Sequence, residues 1–252
     1  VLDYAHSIDT AHARVLKAAP LPADHPCYPC EVRRVSMFHA LKCNQLSELR
    51  TMGIDRLVES GAPLFHQGDR AGQVYTLVAG SLRLYRLMAD GRRQITGFTL
   101  PGDFIGMALG TDHEMTAEAL EPARLWAFER SRFEDYVNRN AVLKDSLLDS
   151  ARHELAAAQQ QFIVLGRKTA MERVASFLLY LHQRYERIVG HDVAHMALPM
   201  SRADIADYLG LTKETVSRVL SQLRNRRLVR LVTLSCVELL DVAALEGLAD
   251  GA

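Results

Sequence analysis

The spacing of apolar and polar positions changes three times along the chain. From about Leu46 to Tyr136 apolar residues come in short runs cut by glycines at 61, 68, 72, 80, 91, 97, 102 and 106. Within them Tyr75 and Leu77, then Leu82 and Leu84, alternate with residues of an opposite face, which is the period of a strand. Asp90-Gly91 and Pro101-Gly102-Asp103 supply turn chemistry at the strand ends. Evenly spaced short strands predict a β-roll, barrel or sandwich over 46–139.

The period then lengthens. Between Val142 and Leu165 there is no glycine, and Leu148, Ala151, Leu155, Ala158, Phe162 and Leu165 are separated by 3, 4, 3, 4 and 3 residues. That is a coiled-coil seam, and it predicts a helix over 140–166, roughly 37 Å long for about 25 residues. The alternatives are a helix packed on its own β domain and a dimer seam. Small alanines between Leu and Phe suit close helix–helix approach and favour the dimer. Gly166 is the expected joint to a second helix, "AMERVASFLLYLHQRY", with Val174, Phe177, Leu178 and Leu181 on its apolar side.

The last pattern is "SRADIADYLGLTKETVSRVL". Ser201 is placed to cap a helix that turns Ile205, Ala206 and Leu209 inward. Gly210 stands where the chain turns sharply and φ > 0 is wanted. Thr212 is placed to cap a second helix with Val216, Val219, Leu220 and Leu223 buried, and Ala206 lets the two helices cross closely. This is helix-turn-helix spacing; the bland reading is an αα-hairpin. "RLVRLVTLSCVELLD" adds two short strands bending at Thr233, Leu234 and Ser235, with Cys236 in or beside this wing, so 167–252 reads as a winged helix.

Charge sharpens the picture. Thirty basic and thirty acidic residues cancel over the whole chain, so any electrostatic partner must be sought locally. From Lys213 to Arg230 six bases (Lys213, Arg218, Arg224, Arg226, Arg227, Arg230) face one acid, Glu214, leaving +5. Such a surface faces phosphates. A carboxylate among them is costly unless it accepts from cytosine N4, and an arginine can fork onto guanine O6 and N7. Glu214 and Arg218 are four apart, on one helix face, able to hold each other, with Ser217 between them. Thr212, Lys213, Ser201, Arg202 and Arg226 complete the expected DNA-binding set.

Other chemistry is thin. No apolar run approaches the roughly 20 residues that span a bilayer, so no membrane partner is expected. "VLDYAHSIDTAHARVLKAAP" lacks the pattern of a signal peptide, and four cysteines are too few for a disulfide scaffold, so the expected location is cytoplasmic. No phosphate loop, Ser/His/Asp set or paired carboxylates stand out; no catalytic residue, and no enzyme, is predicted. A cupin-like metalloenzyme would need converging histidines, and the roll offers only His66 and His113. His191 and His195 read as solvated. Residues 1–45 form a proline-rich arm in which Cys27 and Cys30 make a C-x-x-C, the spacing that grips a metal or an iron–sulfur centre.

Together these features, with "DGRRQITGFTLPGDFIGM" and "MSRADIADYLGLTKETVSR", resemble the cyclic-AMP receptor protein and FNR superfamily of transcription regulators over roughly 46–240, most of all the FixK/FnrN branch. The resemblance implies an α+β fold: an N-terminal cyclic-nucleotide-binding-like β-roll, a long dimerisation helix and a C-terminal winged helix-turn-helix. It also implies a homodimer on two-fold symmetric double-stranded DNA, contact with RNA polymerase, and activation of low-oxygen or redox-responsive genes. In FNR-like proteins E-x-x-S-R, here Glu214, Ser217 and Arg218, reads TTGAT-type half-sites; Lys213 departs from the apolar residue common there.

Two effectors follow from the resemblance and both meet departures. Where cyclic-AMP binders carry a Glu and an Arg-Ser pair, this chain has Met107, Met115 and Thr116, so cyclic AMP is not expected. The [4Fe–4S] cluster of FNR-like proteins needs a third cysteine where Phe38 stands and a fourth where Trp126 stands. Cys43 is the substitute to join Cys27 and Cys30, the fourth ligand being left to His25, His39 or an acid. The rival reading is a cluster-free regulator governed by abundance, another ligand, or oxidation of Cys236.

Overall fold

Helix α1 (Cys43–Met52) leads into eight short strands, β1 (Gly53–Val58), β2 (Pro63–Phe65), β3 (Gln73–Ala79), β4 (Leu82–Leu87), β5 (Arg93–Thr99), β6 (Phe104–Ile105), β7 (Thr116–Ala119) and β8 (Ala123–Glu129). The structure is a computed structural model and describes residues 36–108 and 110–251. The chain divides into two units, one ending at Arg152 and the other beginning at His153. In the first, the strands form two antiparallel sheets, ordered β1-β8-β3-β6 and β2-β7-β4-β5. Leu77, Leu82, Ala117 and Leu125, from both sheets, close one core at 0% exposure.

Strand β3 does not alternate as its sequence predicts. Tyr75 and Leu77 face the core between the sheets, while Val74 and Val78 face a second core with Phe38, Leu46, Leu49 and Phe133. The cause is a helical cover. Arg130–Arg139, inside the span read as strands, is helix α2, and it buries Phe133, Tyr136 and Val137. Its Tyr136 hydroxyl donates to the Gln45 carbonyl of α1 at 2.8 Å. A strand covered on both faces loses its polar positions, so its period disappears.

Helix α3 (Ala141–Arg167) carries the chain from the first unit into the second. It runs through Gly166, which is not the joint. The break falls at Lys168–Thr169, where Thr169 caps helix α4 (Ala170–Val189) reciprocally with Glu172, and Gly190 at φ 83° ends it. Along α3, Leu148, Leu155 and Phe162 are 50%, 61% and 73% exposed, and Ala151 and Ala158 are exposed with them. Leu165 differs. It is half-buried, its Cδ2 3.7 Å from where a Cβ on Gly210 would stand, so this last seam position packs on its own unit.

The second unit continues through β9 (His195–Ala197), α5 (Arg202–Leu209), α6 (Lys213–Asn225), β10 (Val229–Thr233), β11 (Cys236–Leu239) and α7 (Val242–Ala249). Its sheet is ordered β10-β11-β9, and α7, which no spacing announced, packs along α4. Among the described residues no helix is long and apolar enough to cross a membrane.

Candidate nucleic-acid interface

Helices α5 and α6 are fixed by their caps. The Ser201 hydroxyl accepts from the Asp204 amide at 3.1 Å, and the Asp204 carboxylate accepts from the Ser201 amide at 2.9 Å and hydroxyl at 2.6 Å. This closed capping box absorbs the Ser201 hydroxyl. Gly210, at φ 62° and ψ 41°, makes the left-handed turn that ends α5. Thr212 then accepts from the Thr215 amide at 3.2 Å and starts α6. Val216, Val219, Leu220 and Leu223 are all at or below 4% exposure, which rolls the opposite face of α6 outward.

On that outward face stand Lys213, Glu214, Ser217 and Arg218. Glu214 and Arg218 do not pair with each other. Arg218 reaches the Thr215 hydroxyl at 3.4 Å, and Glu214 lies 4.0 Å from the Lys213 ammonium. These contacts are long, so both tips are available to a partner at little cost. The Ser217 hydroxyl donates to the Lys213 carbonyl at 2.9 Å, which holds it against its own helix. Arg224, Arg226 and Arg227 are exposed at the far end, Arg227 with a φ of 60° that non-glycine residues rarely adopt. Arg230 leaves the row: it pairs with Glu238 across the β10–β11 ladder at 2.8 Å. The compensating acid lies outside the stretch from which the charge was counted.

The wing bends at Leu234–Ser235, where the Ser235 amide donates to the Thr233 hydroxyl at 3.2 Å. That local turn replaces the usual glycine. Leu234 at the tip is 91% exposed. Arg202 is turned toward the wing, Nη2 3.4 Å from the Leu234 carbonyl and Nη1 buried without a hydrogen-bond partner, and burial lowers its pKa. Cys236 lies in β11 at 8% exposure; burial, then Glu238, push its thiol pKa up. Such a thiol is mostly protonated and shielded, the inert kind. Peroxide treatment is therefore expected to change DNA binding equally in the parent and in Cys236→Ser, checked by titrating one labelled duplex before and after oxidation.

Arg173 is a residue that sequence reasoning passed over. From the first turn of α4 its guanidinium donates to the carbonyls of Lys168 at 2.8 Å, and of Leu165 and Leu209 at 2.9 Å each. It thereby satisfies orphan carbonyls at the ends of α3 and α5 together and pins the helix-turn-helix to the end of the long helix. Its only sequence signal was a base beside a helix break.

The first unit holds the places that the two effectors would use. Met107 is half-exposed, the Met115 sulfur accepts from the Thr96 hydroxyl at 2.9 Å, and the Thr116 hydroxyl accepts from the Gln67 amide at 3.0 Å. The nearby Arg130 is spent on the Ala108 and Gly110 carbonyls at 2.9 Å each, and on Glu134. Nothing in this set pairs a cyclic phosphate. Among the described residues, the two further cysteine places of the FNR-like pattern are closed to a ligand. Phe38 and Trp126, at 3% and 5% exposure, meet edge to face with centroids 6.1 Å apart, so the two missing cysteine places are neighbours filled by an aromatic pair. A Cβ on Gly53 would collide with Trp126 Nε1, so the backbone is notched to admit the indole. Cys27, Cys30 and His25 lie outside the described residues, as does the side chain of Cys43, the first residue of α1. Of the two cupin positions, His113 is buried and stacks on Phe65 at 3.7 Å, with burial lowering its pKa, while His66 is exposed.

A model of the Crp-like helix-turn-helix domain matches residues 172–248, and one of the cyclic nucleotide-binding domain matches residues 55–140. The chain is 37% identical over 228 residues to the nitrogen fixation regulation protein FixK of Bradyrhizobium diazoefficiens, covering 90% of this chain and 95% of that one. It is 37% identical over 220 residues to the transcriptional activatory protein AadR of Rhodopseudomonas palustris, covering 82% and 92%. The solved structure of FixK2 from Bradyrhizobium japonicum superposes with a TM-score of 0.73 at 38% identity, over 79% of this chain and 98% of that one.

Proposed function

From the premise that the chain belongs to the Crp/Fnr family of transcription regulators, as a FixK-type member and not an enzyme, we propose that it acts as a homodimer on palindromic DNA in the cytoplasm. Each protomer places α6 in a major groove, with half-sites one helical turn or roughly 34 Å apart. Glu214 and Arg218 read base edges in TTGAT-type half-sites, while Lys213, Arg226 and their neighbours neutralise phosphates. Bound upstream of a promoter, the dimer contacts RNA polymerase and activates low-oxygen or redox-responsive genes. With Phe38 and Trp126 packed where the FNR-like pattern has its third and fourth cysteines, and no arginine–serine pair for a cyclic phosphate, the reading favoured is a regulator governed by abundance or a different ligand.

The observation that carries this reading is the outward row of α6: two oppositely charged tips, held only by long contacts and not by each other, on a capped helix set among bases. The test is a titration against a duplex with two TTGAT-type half-sites and against its scrambled version at fixed salt. Specific binding roughly a thousandfold or more tighter is expected. Equal affinity for the two would refute sequence reading.

A further inference from the structure

The second unit contains a cavity of about 260 Å³ between the end of α3, helix α4, α5 and the end of α7. Its lining is mixed: Val164, Phe177, Tyr180 and Tyr208 are apolar or aromatic, Gln160, Gln161 and Gln183 are polar, and Lys168 is its cation. The Lys168 side chain is only 13% exposed. Its ammonium has three donors, and its contacts are the Ser176 hydroxyl at 2.9 Å and the Asp250 carboxylate at 4.0 Å. That carboxylate belongs to a side chain 84% exposed to solvent, which screens it. A sheltered ammonium with one neutral acceptor is under-compensated, and the cavity lies where a better acceptor would sit.

We infer that this cavity is an effector site for a small monoanionic ring carboxylate. A cavity of about 150 Å³ lined by apolar side chains already holds a benzene ring. The additional space suits a ring bearing one carboxylate. The head group replaces the long Asp250 contact on Lys168 and takes a hydrogen bond from the Ser176 hydroxyl, while the ring lies among Phe177, Tyr180 and Tyr208. A dianionic phosphate is disfavoured: a single lysine is present, and Asp250 already offsets part of its charge. Val164 and Ala157, from α3, fall outside the heptad positions of the seam, so dimerisation leaves this face open.

The position gives the site its consequence. Lys168 is the break between α3 and α4, and its own carbonyl is one of the three held by Arg173. A carboxylate on the Lys168 ammonium acts on the residue at the break between α3 and α4, beside the carbonyls that Arg173 holds. The site thus supplies a signal input distinct from the cyclic-nucleotide place in the β-roll.

The test uses ¹⁹F NMR of 4-fluorobenzoate with the full-length protein and no DNA, so its outcome is independent of sequence recognition. Saturable binding on the order of 0.1–1 mM is expected for a ligand of about ten heavy atoms. Lys168→Met weakens it roughly tenfold or more, because the charge-assisted contact is lost. Ala157→Trp, at an exposed position on the rim, blocks entry without touching the cation. The neutral 4-fluorobenzyl alcohol binds far more weakly than the carboxylate. Absence of saturable binding, equal binding by the alcohol, or full binding in the folded Ala157→Trp protein would each overturn the inference.

Discussion

Arg218→Ala lowers affinity for a palindromic site by about 2–6 kcal/mol and leaves a scrambled duplex nearly unaffected. A bidentate arginine–guanine contact discriminates by about 1–3 kcal/mol, and a two-fold dimer makes it twice. At about 1.4 kcal/mol per factor of ten, the loss is at least roughly thirtyfold. Little of it comes from folding, since the guanidinium makes only a 3.4 Å contact to Thr215 on an exposed face. The control is Arg226→Ala, at the exposed C-terminal cap of α6. It weakens both duplexes alike and lowers the salt slope by about one per phosphate contact. Fluorescence anisotropy on both duplexes at several salt concentrations separates the two. Should Arg218→Ala lose affinity equally on matched and scrambled DNA, Arg218 is a phosphate contact and base reading rests elsewhere.

The helix-turn-helix was legible because its determinants are local. Caps at Ser201 and Thr212, the left-handed Gly210 and the stripe from Val216 to Leu223 all act within a few residues, so their spacing survives in one dimension. What the sequence hid depends on residues distant in the chain. Arg230 counts as a phosphate-facing base until β11 brings Glu238 beside it. Arg202 reads as an outward base, and only the fold shows the wing's Leu234 carbonyl 3.4 Å from its guanidinium. The helix at Arg130–Arg139 was masked by the glycine texture before it, although Phe133, Tyr136 and Val137 carry a helical period. Phe38 and Trp126 are 88 residues apart in number, and only the fold shows that their two departures from the cluster pattern are one packed pair. Arg173 is the plainest case. Its role is to satisfy carbonyls at two helix ends that come together in space, and no periodicity encodes that.

Leu155→Glu combined with Phe162→Glu converts the protein to a monomer at micromolar concentration and removes tight binding to the palindrome. In the isolated chain these side chains are 61% and 73% exposed, so the single protomer gains little from them. Burying a large apolar side chain in a partner interface is worth about 1.5–3 kcal/mol, and two-fold symmetry places four of these in the seam. The variant removes that burial and sets four carboxylates along a narrow helix–helix contact, where like charges face one another in reduced dielectric. Helix content should change little, because the substituted positions are mostly exposed in the single protomer, and the unfolding midpoint falls only through the lost dimer linkage, so it depends on concentration in the parent and not in the variant. Binding falls for a separate reason: a dimer holds its second reading helix at an effective concentration on the order of millimolar, and a monomer loses that advantage. A loss of about a thousandfold on the palindrome, with a single half-site duplex bound as weakly by parent and variant alike, distinguishes lost bivalency from a damaged reading helix. Sedimentation velocity provides the independent readout. A variant that still sediments as a dimer places the protomer contact away from α3, and the heptad between Leu148 and Phe162 would then need another partner.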